Sequence, residues 1–175
     1  MIHLNNYGWN DKLSQLKQES TYNALTHGRI SIVHRTCYEV VSENGLFQCE
    51  LTGNMMYGKS DFELPCTGDW VLFQPFDEHK GIIVDMLPRE RTLYRKKNGT
   101  VADKQTIASY VDKAFIVQSL DDNFNVRRAE RFMVQMQEEH INPVLVFNKA
   151  DLRFDKQKVE EQIRHIARQL PVFFT

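Results

Sequence analysis

Cysteine is scarce in this chain. Cys37, Cys49 and Cys66 are an odd number without C-x-x-C spacing, which argues against a disulfide framework and against a four-thiolate zinc site made from them. They are expected as buried apolar thiols in a reducing compartment. An excess of charge of one sign is also missing. A net charge of -1 over 175 residues argues against a basic nucleic-acid surface covering the whole chain and leaves room for a local patch. No apolar run approaches the length of a membrane span, and the N-terminus, with Asn5, Asn6, Asn10 and Asp11 in it, has no signal-peptide core. The expectation is a soluble cytoplasmic protein without a membrane partner. His27, His34, His79, His140 and His165 have neither metal-ligand spacing nor a paired nucleophile, so surface or packing roles are expected for them.

What is present is enough apolar residue, 42% of the chain, to build one large or two small cores. The texture changes near residue 100. Trp9, Leu13, Leu16 and Ser20 fall at helical spacing within an N-terminal segment, 1–26, and predict a helix over 9–24. Residues 27–97 carry short β runs at 29–35, 38–41, 46–52, 69–74 and 81–87, with the hairpin signal Asn44-Gly45 between two of them. Five short strands in so little chain predict an all-β, five-stranded barrel of OB type. A linker is expected over 98–112, opening with the turn Asn98-Gly99.

From 113 to 175 strands and helices alternate. Residues 114–120, 143–147 and 172–174 read as strands. A helix over 126–139 carries Ala129, Phe132, Met133 and Met136 on one face, and a second, from about Asp155, carries Val159, Ile163, Ile166 and Leu170. This β-α-β-α-β order predicts a parallel sheet and part of an α/β domain. Asp121-Asp122 is expected as turn and capping chemistry.

Asn148-Lys149-Ala150-Asp151 follows the apolar strand directly and has the form of a guanine-specificity motif. Guanine presents N1-H and an exocyclic amine side by side. One ionised carboxylate, that of Asp151, can accept from both, whereas adenine offers no such donor pair. The Asn148 amide can meet the O6/N7 edge and tie down the loop, while the Lys149 methylenes lie along the base. Ligands of open α/β sheets bind beyond the carboxyl ends of the strands, where Asn148 falls.

A phosphate cradle is harder to find. Gly53-Asn54-Met55-Met56-Tyr57-Gly58-Lys59-Ser60 fits G-x-x-x-x-G-K-[ST], but a working phosphate loop must open a helix, and Pro65 and Gly68 stop one soon after Ser60. No Asp-x-x-Gly lies between Ser60 and Asn148. The segment is therefore expected to join two barrel strands.

A barrel followed by the guanine motif, with the phosphate loop still to come, resembles the N-terminal half of the circularly permuted, ribosome small-subunit-dependent GTPases (ribosome biogenesis GTPase A). The resemblance is carried by Cys66-Thr67-Gly68-Asp69-Trp70-Val71, Gly81-Ile82-Ile83, Leu87-Pro88-Arg89-Glu90-Arg91-Thr92-Leu93-Tyr94-Arg95, Gln105-Thr106-Ile107-Ala108-Ser109-Tyr110-Val111-Asp112 and the guanine motif, in that order. It implies an all-β barrel followed by a partial, circularly permuted P-loop GTPase-like domain. It also implies GTP and GDP as ligands, the small ribosomal subunit and its rRNA as partners, a monomeric parent enzyme, and a role in late subunit maturation. Magnesium ligands, the catalytic group and a zinc domain are expected beyond Thr175, so hydrolysis is expected of the parent rather than of these residues.

Arg89, Arg91, Tyr94, Arg95, Lys96 and Lys97 form a basic and aromatic stretch that the barrel context and the resemblance make a candidate RNA contact. Two other readings stay open from sequence: a non-enzymatic RNA-binding barrel with an incidental Asn-Lys-x-Asp, and a GTPase of conventional order using residues 53–60.

Overall fold

Strand β4, Trp70–Asp77, begins with four apolar residues, Trp70 to Phe73, that are all buried; a half-buried strand would alternate instead. The computed structural model, which describes residues 1–57, 59–96, 104–121, 124–151, 156–167 and 170–175, shows the reason. Val71 and Phe73 point into a core with Ile30, Val40, Phe47, Cys49, Met55 and Ile83. Trp70 and Leu72 pack on the other side with Leu4, Leu13 and Leu87. The N-terminal segment thus covers one outer face of the barrel. Its helix α1, Asp11–Glu19, is capped by Asn10, whose side chain accepts from the Leu13 amide, and it is shorter than the helical spacing predicts.

All five expected strands form, and they close into a barrel. β1 (Thr26–Val33), β2 (Tyr38–Ser42), β3 (Gly45–Leu51), β5 (Lys80–Met86) and β4 follow one another in that order, and β4 returns to β1. Every pairing is antiparallel except β3 with β5. The β2–β3 hairpin turns on Glu43 and Asn44, with Gly45 already paired to Ser42, one residue earlier than the Asn44-Gly45 signal implies.

The segment expected as a linker is partly structured. β7, Lys104–Ala108, pairs antiparallel with β6, Leu93–Lys96, and Ala108 bridges to Thr67. The compact unit accordingly runs over Met1–Tyr110, and a second over Val111–Thr175. Gly68 permits the bridge. Its φ of +96° is left-handed, and a Cβ there would lie 2.3 Å from the Ser109 carbonyl oxygen.

Between β3 and β4 the chain makes one helical turn, α2 at Gly53–Met56, and inserts Met55 into the barrel core. Ser60 opens a turn, not a helix. Arg89 fastens the far side of this connection: its guanidinium pairs with the fully buried Asp69 carboxylate at 2.7 Å and donates to the carbonyls of Phe62 and Leu64.

The second unit contains β8 (Lys113–Ser119), α3 (Val126–Glu138), β9 (Asn142–Asn148), α4 (Lys156–Ala167) and β10 (Val172–Phe174). The sheet is parallel, in the order β10-β9-β8. Both crossovers run the same way across it, and right-handed connections then place both helices on one face. Ala129, Met133, Met136, Val159 and Ile163 are buried, whereas Phe132, expected among them, is 41% exposed because it falls at the margin of the helical stripe. Phe115, Val117 and Phe173 lie exposed on the opposite face, in register through Val146. The cap of α3 is Asn125, which accepts from the Arg128 amide, in place of the expected aspartate pair. Gly58, Lys97, Asn98, Gly99, Asp122 and Asp155 lie outside the described residues, as do the side chains of Lys96, His165 and Ile166.

Cys49 and Cys66 are buried and Cys37 is half-buried, all three free thiols. Burial pushes the Cys49 and Cys66 thiols up to about 12, which leaves about one in ten thousand ionised at pH 8. Iodoacetamide at pH 8 is therefore expected to alkylate one thiol, Cys37, in the native chain and three in denaturant. Mass spectrometry of the labelled peptides checks this; native labelling at Cys49 or Cys66 would contradict it.

Candidate functional site

At the carboxyl end of β9 the chain leaves a fully buried Phe147, packed by the rings of Phe124 and Phe174, and enters Asn148-Lys149-Ala150-Asp151. The loop is tied by its backbone on both sides. Leu120 N–H donates to the Asn148 carbonyl, Thr175 N–H to Phe147, and Ala150 N–H to the Thr175 carbonyl, each at 2.9 Å. The neighbouring strands β8 and β10 thus hold the loop in place, as the carboxyl edge of a parallel sheet permits.

Side chains complete the shape. Asn148 Oδ1 accepts from the Lys149 amide at 2.7 Å and from the Thr175 hydroxyl at 3.3 Å. This leaves the Asn148 Nδ2 donors facing no protein acceptor among the described residues. Lys149 has a φ of +65°, uncommon for a residue with a Cβ, and its ammonium pairs with Asp121 Oδ2 at 2.6 Å. Asp151 is exposed, and no ion pair or hydrogen bond engages its carboxylate among the described residues. The loop thus offers an amide donor, an apolar lysine stem and an exposed carboxylate at one sheet edge. These are the groups that reading a guanine edge requires.

Sequence reasoning missed two contributors, Asp121 and Thr175. Both follow β strands that flank β9, so their position at the carboxyl ends of parallel neighbours was the available signal.

The 53–60 segment has no comparable geometry. The Ser60 amide and hydroxyl both donate to Glu63 Oε2, at 2.9 and 2.8 Å, and these bonds hold the Glu63 carboxyl below its usual range. A phosphate loop offers those same groups to phosphate and magnesium. Among the described residues no three His, Cys, Asp or Glu side chains gather into a cation site.

The basic stretch divides. Arg89 does not belong to a surface: its side chain is 12% exposed and engaged by Asp69, because a buried carboxylate needs a charge partner. Arg91 pairs with Glu90 at 3.3 Å, and the hydrogen bond from Lys12 to the same carboxylate holds it below its usual range. Tyr94 carries the Lys104 ammonium 4.2 Å above its ring. Arg95 donates to Gln105 and lines a cavity of about 540 Å³ together with His34, Arg35, Tyr38, Thr67 and Thr106. Of the expected residues whose side chains are described, Arg95 is the one that reaches this cavity, and the sequence reading missed Arg35 beside it. Lys97 and the Lys96 side chain lie outside the described residues.

A family model described as RsgA GTPase matches residues 86–175. The small ribosomal subunit biogenesis GTPase RsgA 1 of Bacteroides thetaiotaomicron is 69% identical over 99% of this chain and 49% of its own length. The RsgA of Opitutus terrae is 30% identical over 97% of the chain and 49% of its own length. The chain therefore spans about half the length of the curated relatives it matches. Among solved structures, YjeQ from Thermotoga maritima superposes with a TM-score of 0.61 at 22% identity, covering 85% of this chain and 51% of that one. YloQ, described as a circularly permuted GTPase, superposes at 0.57 and 23%, covering 90% and 53%. At such identities these two likenesses bear on the fold.

Proposed function

This chain belongs to the RsgA GTPase family, and on that premise we propose that it forms the guanine-recognising part of a GTPase acting in the biogenesis of the small ribosomal subunit. The observation that carries the reading is the loop after β9. Among the described residues Asn148 Nδ2 and the Asp151 carboxylate are both uncommitted at the carboxyl edge of the sheet, beside a lysine stem held at both ends. In this reading Asp151 accepts from the guanine N1-H and exocyclic amine, Asn148 donates to the O6/N7 edge, and the Lys149 methylenes lie along the base. Ala150 supplies the backbone amide that ties the loop to Thr175.

GTP and GDP are the nucleotides this chemistry selects. Phosphate, magnesium and zinc binding are assigned to the part of the relatives' length that this chain does not span, in keeping with the order of a circularly permuted domain. The enzyme is read as a cytoplasmic monomer whose partner is the small subunit. The barrel, whose strand order β1-β2-β3-β5-β4 suits an OB-type module, is assigned a local rRNA contact through Arg91, Tyr94 and Arg95, with Arg35 beside the cavity. Lys96 and Lys97 remain in that assignment on sequence alone, and Arg89 leaves it.

The test is nucleotide binding and turnover by the full-length protein, GTP against ATP, with and without small ribosomal subunits. GTP-selective turnover that rises with subunits is expected; equal handling of the two nucleotides would overturn the assignment.

A further inference from the structure

The geometry points to Asp121 as a positioning residue for the base site: it anchors the Lys149 ammonium and so fixes the lysine stem beside the base before any nucleotide arrives. This rests on the assignment of residues 148–151 as the guanine site. The register places the two side chains together. Ser119 of β8 pairs with Asn148 of β9, and Leu120 N–H donates to the Asn148 carbonyl. Past that last rung residue 121 lies two steps on and residue 149 one, close enough that Asp121 Oδ2 meets Lys149 Nζ at 2.6 Å.

Both ends of Lys149 are then held. Its backbone sits at a φ of +65° with its amide bonded to Asn148 Oδ1, and its ammonium sits on Asp121. What remains between them is four methylenes, the apolar part that a flat base would contact. An unanchored lysine keeps its rotamer freedom until the ligand removes it, and that loss weakens binding; anchoring removes the freedom in advance. The pair is not explained by stability, because the Lys149 side chain is 49% exposed and the Asp121 side chain 22%, and ion pairs in such surroundings contribute little to folding. Asp121 touches no part of the base in this arrangement. It acts through Lys149.

The test is titration of fluorescent mant-GDP into the full-length protein and its Asp121→Ala, Lys149→Ala and doubly substituted forms, with Asp121→Asn as the conservative variant. Asp121→Ala is expected to raise Kd about three- to tenfold, with the preference for guanine over adenine, the kcat and the unfolding midpoint unchanged. In the Lys149→Ala background the same substitution is expected to have no further effect, which a role independent of the lysine would not produce. Asp121→Asn, which keeps an acceptor, is expected to recover part of the affinity. Guanine preference with an unchanged Kd in Asp121→Ala, or an equal loss with and without Lys149, overturns this inference alone. A parent protein without guanine preference overturns the base-site assignment along with it.

Discussion

The Asp151→Asn protein is expected to lose GTP and gain xanthosine triphosphate. The carboxylate of Asp151 is exposed at the sheet edge and has no partner among the described residues, so its hydrogen bonds to a ligand are made without first breaking contacts to them. Two charge-assisted bonds to the N1-H and exocyclic amine, at about 1.5–3 kcal/mol each, amount to about a hundred- to ten-thousandfold in affinity. An asparagine there turns an NH2 toward the base. Guanine then meets donor with donor, whereas xanthine presents a carbonyl where guanine has its amine. Sites that match a base by hydrogen bonds discriminate by about 10⁴ to 10⁵, so the ratio of GTP to xanthosine triphosphate affinity is expected to invert. Displacement of mant-GDP from the full-length protein by the two nucleotides measures it. Unchanged GTP affinity in the variant would show that Asp151 is not the reader of the base.

The second large effect lies in the barrel. Arg89→Ala removes the partner of a carboxylate with no exposed surface and frees the carbonyls of Phe62 and Leu64. Leaving a buried charge uncompensated costs about 3–5 kcal/mol, a large share of the stability of a domain this size. Trp9 and Trp70, the chain's only tryptophans, both belong to this unit, with ring centroids 4.8 Å apart, so urea unfolding followed by fluorescence reports on it directly. The combined Asp69→Ala and Arg89→Ala substitution is expected to cost less than the sum of the two, because it removes the charge as well as its partner. An Arg89→Ala midpoint equal to that of the unsubstituted chain would contradict this account.

Local chemistry was legible in the sequence, whereas tertiary commitments were not. The continuous apolar run at 143–147 announced β9, although helices cover only one face of its sheet, and the motif after it lies where such strands place ligands. Five β runs announced the five barrel strands, and the short stretch at 172–174 announced β10 with its bounds. Arg89, by contrast, looks like any arginine in a basic run until Asp69, twenty residues earlier, is seen inside the turn it closes. β7 reads as linker because residues 97–103, which separate it from its pairing partner β6, are of mixed composition. The α3 cap is Asn125, directly before Val126, while Asp121 is held on Lys149, 28 residues further on. In each case the deciding partner is distant in sequence, and periodicity carries no information about it.

Thr175 has a consequence for the order in which the molecule acquires its parts. During synthesis the barrel unit, contiguous over Met1–Tyr110, can close as soon as it has emerged, since domains fold as units from the N-terminus. Residues 148–151 emerge next, but the bonds that shape them, from Thr175 N–H to Phe147, from Ala150 N–H to the Thr175 carbonyl and from the Thr175 hydroxyl to Asn148, cannot form until α4 and β10 have followed. A nascent chain therefore presents a finished barrel while the loop proposed to read the base is still without one of its two walls, and on that proposal selectivity for a nucleobase arises only after β10 docks.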